Sequence, residues 1–335
     1  MYYDDTVTSL HSQAGKTIAI TGTTSGTGFA AARAVAKKGA NLILLNRVSE
    51  RAKTALKKLK LEFPNGQIFG VDCDLTSFAS VRKAARKVKE ISPEGLDVLC
   101  NNAGVLGLKD EATVDGFDIQ MQTNHLSHFL LTKELVPELE KVAQKRGDAR
   151  IVNHSSIARY CPNKLLLAKY LEKRGGDLGG NGKGMTLFLG GRWLRYQQSK
   201  LANCAFTSCL HNSFMKGQSQ IKAVVAHPGL AKSKIFFNSA KSGMRVNSVM
   251  NFVLNMISQS PEDGAVGIIK GMCDPSVKSG DFIGPGAGRM AANGPVITFA
   301  LEDFYNNAET RDLLWHKSCE AIGEDFQIDG VKKAA

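Results

Sequence analysis

Two places in the chain set a tyrosine four residues ahead of a lysine: Tyr160 and Lys164 in RYCPNK, and Tyr196 and Lys200 in RYQQSK. A phenol with a pKa of about 10 exchanges protons poorly near neutrality unless its phenolate is stabilised. A lysine ammonium one helical turn on, on the same face, supplies that stabilisation, so such a pair can pass a proton to or from a substrate oxygen. The spacing has this meaning only on a helix. Tyr160 and Lys164 bracket Pro162, which disfavours helix at Cys161 and removes an amide donor. Tyr196 and Lys200 open RYQQSKLANCAFTSCLHNSF, free of proline and glycine and with apolar residues at helical intervals. Local physics therefore gives the proton to Tyr196 and Lys200. Ser155 and Ser156, just ahead of the first pair, offer hydroxyls to the same oxygen. On a continuing strand they face opposite ways, and their types alone do not choose between them.

The second stretch able to do chemistry is TGTTSGTG, residues 21–28. KTIAIT before it is an apolar run, and GFAAARAVAKKG after it has helical spacing. Gly22, Gly26 and Gly28, with Thr24, Ser25 and Thr27 between them, therefore stand at a strand-to-helix turn whose amides can approach a pyrophosphate. Alone, such a turn is only a tight connection; inside a βαβ unit it reads as a dinucleotide cradle. At the end of the next apolar run, NLILLN, stand Asn46 and Arg47. A carboxylate there would hold a ribose diol and repel a 2′-phosphate, whereas a guanidinium pairs with one. The residues thus favour NADP(H) over NAD(H).

Positioning these groups requires a framework, and the periodicity supplies one. KTIAIT, NLILLN, QIFGVD, LDVLCN, ARIVNHS and IKAVVAH read as six strands, separated by segments of helical spacing that include a long run from Val114 to Lys145. Pro137 should kink that run or end its first half. The alternation predicts an α/β fold: a Rossmann-type, doubly wound parallel sheet in a single domain. Residues 1–15 read as an extension, 16–325 as the domain and 326–335 as a tail; 161–192 and 228–260 break the rhythm and read as substrate-loop insertions over the carboxyl edge of the sheet. Tyr160 and Trp193 are candidate substrate contacts of the first insertion.

Composition narrows the class. With 335 residues and 43% hydrophobic content, the chain can bury a sizeable core. Its net charge of +12 is spread over segments such as RAKTALKKLK, where basic residues alternate with Ala, Val and Leu. These read as solvated helix faces rather than a nucleic-acid surface. Seven cysteines without a Cys-x-x-Cys pair, several in apolar runs, read as reduced thiols in a soluble, cytoplasmic setting. No leader or spanning segment is evident. NSVMNFVLNMISQ and MTLFLGGRWL would allow at most a peripheral membrane contact. His125, His128, His154 and His227 form no metal-ligand spacing and read as structural, so no metal is expected.

Taken in order, these motifs resemble those of the short-chain dehydrogenase/reductases from about residue 16 to residue 325. TGTTSGTG is similar to the family's TGxxxGxG, Asp74-Leu75 to its adenine-contacting pair, and NNAG with Asn102, Ala103 and Gly104 to its fourth-strand motif. Asn124 sits at the place of its helix asparagine. HPGLAKS, with Pro228, Gly229, Leu230 and Ser233, resembles the segment that meets the nicotinamide amide. YQQSKLAN looks like the family's YxxxK helix. Its continuation, and FIGPGAGRMAANGP after the last strand, resemble the retinol-dehydrogenase-like branch, and the helix that follows is expected near the site entrance.

The resemblance implies that Ser156, the second serine, binds the substrate oxygen, Tyr196 exchanges the proton, Lys200 holds the ribose hydroxyls and Asn124 anchors a water. The expected activity is NADP(H)-dependent hydride transfer to or from a hydrophobic aldehyde, ketone or alcohol, in a protein able to form homo-oligomers. Two alternatives stand beside it: C=C reduction of the protochlorophyllide-oxidoreductase type, and a non-catalytic dinucleotide-binding interaction protein. Ser156 and Tyr196 lie 40 positions apart, so the intervening chain must leave and re-enter the site, as a substrate wall or as a tolerated excursion.

Overall fold

The computed structural model describes residues 2–160, 164–181, 190–231, 258–286 and 291–328. Eight strands form one sheet: β1 (Thr17–Thr21), β2 (Asn41–Asn46), β3 (Ile68–Asp72), β4 (Val98–Asn101), β5 (Ala149–His154), β6 (Ile221–Ala226), β7 (Asp281–Pro285) and β8 (Val296–Ala300). Their order is β3-β2-β1-β4-β5-β6-β7-β8, with every pairing parallel except β7 with β8. The doubly wound α/β reading holds. The central strands read as unbroken apolar runs because helices cover both faces. Two strands stand beyond the six expected: FIGP lies within β7 rather than after the last strand, and VITFA forms an antiparallel edge whose exposed residues break the buried-strand pattern.

Among the described residues the helices are α1 (Tyr2–Ser9), α2 (Gly26–Lys37), α3 (Glu50–Glu62), α4 (Phe78–Ile91), α5 (Ile119–Met121), α6 (Ser127–Arg146), α7 (Gly191–Lys216), α8 (Pro261–Cys273), α9 (Asp303–Asn306) and α10 (Ala308–Ile322). One core joins α4, α6, α7 and α10 to one face of the sheet; the other joins α1, α2 and α8 to the opposite face. The stretch before residue 16 contributes to the second core: Tyr3 and Val7 are buried, and the Tyr3 hydroxyl donates to the Ala30 carbonyl at 3.0 Å. Phe326 likewise enters the first core, its ring stacked on Trp315 at 4.9 Å.

The expected long helix from Val114 is divided differently. It begins only at Ile119, where Asp118 caps the Gln120 and Met121 amides at 3.0 and 2.9 Å, and passes through a π-turn over Gln122–Leu126 before becoming α6. Pro137 neither ends α6 nor splits it. Packing of Phe129, Leu130, Leu135 and Leu139 into the core outweighs the one amide the proline lacks.

Candidate active site

The sheet order reverses at β1 and β4, and the carboxyl ends of the strands on either side form the crevice in which such folds bind ligands. The glycine turn leaves β1 here. Gly22 and Gly26 have φ of +73° and +63°, which side chains rarely adopt. A β-carbon on Gly28 would lie 2.4 Å from the Gly22 carbonyl oxygen, so only glycine lets α2 start so close to the turn. Ser49, Ser77 and Ser260 cap α3, α4 and α8 with their side chains. Ser25 makes no such bond, and the first turn of α2 holds no acidic residue. Its open amides and positive helix end are suited to an anion. The dinucleotide the sequence implies fits this cradle.

Around the turn, polar side chains fix the backbone. Asn102 Nδ2 donates to the carbonyl of Thr21 at 2.8 Å, and its Oδ1 accepts from Thr27 Oγ1 at 3.2 Å. Asn46 grips Thr23 through amide and hydroxyl, at 2.8 Å each. Arg47 is exposed beyond β2. Four residues later, in the first turn of α3, Arg51, which sequence reasoning passed over, donates to Ser25 Oγ at 3.0 Å. A second basic residue close after Arg47, at the start of a helix, was the available signal. Asp74 uses one carboxylate oxygen on the amide and hydroxyl of Thr76, at 2.9 and 2.7 Å. The Leu75 carbonyl accepts from Ser127 Oγ at 2.7 Å.

Tyr196 and Lys200 lie on one face of α7, with Nζ 5.8 Å from the ring centroid. Ser155 and Ser156 diverge as a continuing strand requires. Ser155 Oγ donates to the Lys200 carbonyl at 2.7 Å, inside the fold. Ser156 Oγ accepts from Ala158 N at 3.1 Å and lies near enough to the Tyr196 phenol to favour its ionised form. Burial pushes the Tyr196 phenol up to about 12, partly offset by Ser156, and burial lowers Lys200 to about 8. Lys200 Nζ donates to the His154 carbonyl at 3.0 Å. A β-carbon on Gly104 would lie 3.2 Å from this Nζ and 3.3 Å from Asn124 Oδ1, so the fourth-strand motif, the lysine and the asparagine converge.

The Asn124 side chain spans elements: Oδ1 accepts from Val105 N at 2.7 Å and Nδ2 donates to Ser199 Oγ at 2.8 Å. The Ser199 hydroxyl donates to the Tyr196 carbonyl at 2.7 Å. Leu106, Ala158 and Trp193 make an apolar cluster against Tyr196, with the Trp193 ring 5.3 Å from it. Opposite the glycine turn, Gly229 has a φ of +61°, and its neighbour Leu230 is held by a 2.7 Å bond to the Ala292 carbonyl. A β-carbon on Gly264 would meet Ala231, Thr27 and Pro228, so a bare position on α8 lets the glycine turn and the Pro-Gly turn approach each other. Ser233 lies outside the described residues.

The first Tyr-x-x-x-Lys match is not helical. Tyr160 ends a 3-10 turn and Lys164 has a φ of +47°; residues 161–163, with Pro162, lie outside the described set. The Tyr160 hydroxyl donates to Glu302 and accepts from Arg159 Nη2 at 2.9 Å, while Arg159 Nε pairs with Glu302 at 2.7 Å. This hydroxyl, read as a substrate contact, thus belongs to a buried ionic cluster that joins the serine loop to the start of α9.

Of the first insertion, residues 164–181 are packed onto α7 and 190–192 lead into it. Asp110 accepts the amides of Gly176, Leu178 and Gly180 at 3.1, 2.8 and 2.7 Å. Buried Arg195 pairs with Asp118 at 3.1 Å and Asp110 at 3.4 Å and donates to the Leu178 carbonyl at 3.0 Å. These residues stand tens of positions apart with no local motif, which is why the sequence reading passed them over. Residues 161–163, 182–189 and 232–257, with most of the two apolar segments, lie outside the described residues.

The fold and crevice define an α/β nucleotide-binding enzyme class, and comparison with known proteins narrows it. The short chain dehydrogenase family model matches residues 16–168. Human retinol dehydrogenase 13 is 32% identical over 255 residues, covering 74% of this chain and 69% of its own. Human polyprenol dehydrogenase is 28% identical over 304 residues, covering 91% and 84%. The solved structure of an uncharacterised protein from Mycobacterium paratuberculosis superposes with a TM-score of 0.71 at 28% identity, covering 96% and 98%. The chain belongs to the short-chain dehydrogenase/reductase family of oxidoreductases, in its retinol-dehydrogenase-like branch. No helix among the described residues is long and apolar enough to cross a membrane.

Proposed function

We propose that the protein is an NADP(H)-dependent oxidoreductase that interconverts a hydrophobic aldehyde or ketone and its alcohol. The observation that carries this reading is the meeting of Ser156, Tyr196 and Lys200 beside Gly104 and an apolar cluster of Leu106, Ala158 and Trp193. Bound here, a nicotinamide supplies or accepts the hydride. Charge then develops on the substrate oxygen, where Ser156 donates a hydrogen bond and Tyr196 the proton. The Lys200 ammonium would hold ribose hydroxyls and lower the cost of the phenolate, while Asn124 fixes the helix turn beside it. Arg47 and Arg51 offer two guanidinium groups to a 2′-phosphate beside Ser25. The polyprenol and retinol dehydrogenase relatives support a long apolar substrate, as does the Trp193 cluster.

The test is NADPH consumption against a panel of aldehydes, ketones and enones, in the dark and in light. Ser156→Ala and Tyr196→Phe should each abolish most turnover and leave NADPH binding intact. Retained turnover in Tyr196→Phe refutes the assignment. Activity on a tetrapyrrole only under illumination selects C=C reduction instead, and NADPH binding without turnover across the panel selects the non-catalytic alternative.

A further inference from the structure

His128 lies fully buried on the first turn of α6, outside the mechanism above, yet both its ring nitrogens reach that machinery. Nδ1 is 3.0 Å from the Asn124 carbonyl oxygen and Nε2 is 2.9 Å from the Thr21 hydroxyl. A carbonyl only accepts, so Nδ1 carries hydrogen; burial keeps the ring neutral, and Nε2 therefore accepts from Thr21. The Thr21 oxygen in turn accepts from Ala103 N at 2.9 Å. Donor directions thus agree along an unbroken series from Ala103 through Thr21 and His128 to the Asn124 carbonyl. The Asn124 side chain extends it through Ser199 to the Tyr196 carbonyl.

The π-turn explains why a side chain takes this place. Ser127 N–H bonds the carbonyl five residues back, at Gln122, so the backbone register is displaced and the His128 ring serves the Asn124 carbonyl. One end of the series is the dinucleotide turn: Thr21 closes β1, and its carbonyl is held by Asn102. The other end is the segment of α7 that carries Tyr196.

We infer that His128 is a positioning residue that, in one fixed tautomer, holds the dinucleotide turn and the π-turn bearing Asn124 in a single register. The inference rests on the proposed function. Two conservative variants separate its ends. His128→Asn keeps an amide donor near the Nδ1 position but is too short to reach Thr21. His128→Gln keeps an acceptor near the Nε2 position but loses the donor to Asn124. NADPH affinity by fluorescence titration, kcat at saturating NADPH and melting temperature are measured for each.

His128→Asn should weaken NADPH binding roughly tenfold with kcat nearly unchanged, and His128→Gln should lower kcat roughly tenfold with affinity nearly unchanged. Parallel losses in both variants, or none in either, overturn the inference. Should either fail to fold, Thr21→Val and Thr21→Ser decide without touching the ring. Only valine should weaken NADPH, and equal affinities overturn it. A wild type that binds no NADPH sinks the underlying reading and this inference with it. A wild type that binds NADPH while its variants do not separate as described sinks the inference alone.

Discussion

At the scale of single residues, the proposed cofactor preference is a matter of charge and can be tested as such. Arg47 is exposed and Arg51 reaches Ser25, so both can meet a 2′-phosphate that NADH lacks. Losing a charge-assisted bond costs about 1.5–3 kcal/mol. The double substitution of Arg47 and Arg51 by alanine should therefore raise KM for NADPH by at least roughly tenfold and leave KM for NADH unchanged; parallel changes would count against a 2′-phosphate role. Lys200 gives a second expectation. Burial brings its pKa down to about 8, so the cation beside Tyr196 is present below that pH and lost as pH rises through it. NADPH affinity should weaken above about pH 8 in wild type, and the weakening should vanish in Lys200→Met.

At the scale of elements, the first insertion is fastened by charge rather than by packing alone. Asp110 gathers three amides of the insertion, and Arg195 ties it to Asp118 from the residue just before Tyr196. Burial pushes the Asp118 carboxyl up to about 6, opposed by the Met121 amide and Arg195. Removing Arg195 leaves two buried carboxylates without a counter-charge, a change that typically costs about 3–5 kcal/mol. Arg195→Met should lower the urea midpoint accordingly and raise KM for bulky substrates more than for small aldehydes. A shift of under about 1 kcal/mol would mean that the buried pairs contribute little. The same clamp holds the excursion between Ser156 and Tyr196, over its described residues, folded against α7.

At the scale of the whole molecule, four buried histidines set the response to acid. Burial lowers His125, His154 and His227 to about 3 and His128 to about 4, below the ordinary value of about 6.5. A folded value depressed in this way adds stability above the unfolded pKa, and that stability is lost as pH falls from there toward the folded values. Each histidine steepens the loss by up to about 1.4 kcal/mol per pH unit. Urea midpoints measured from pH 7 to pH 4 should fall with a slope that His125→Gln reduces by about one proton. An unchanged slope would show that this ring does not remain neutral on folding.

How much of this was legible in the sequence follows from the range of the interactions. The glycine turn, the parallel strands and the choice of Tyr196 over Tyr160 follow from neighbours within a few positions, because backbone freedom, apolar periodicity and proline act locally. Such features decided the fold class and the candidate proton donor. The edge strand β8, with its half-exposed pattern, gave no such signal. Neither did α8, read as part of the domain without its own periodicity, nor the clamp of Asp110 and Arg195. The orientation of Ser155 away from Tyr196, the commitment of the Tyr160 hydroxyl to Glu302 and the series through His128 join residues up to 142 positions apart. Only the packed fold decides them, because a buried hydrogen bond takes its partner from whatever the tertiary structure brings within about 3 Å, whatever the distance along the chain.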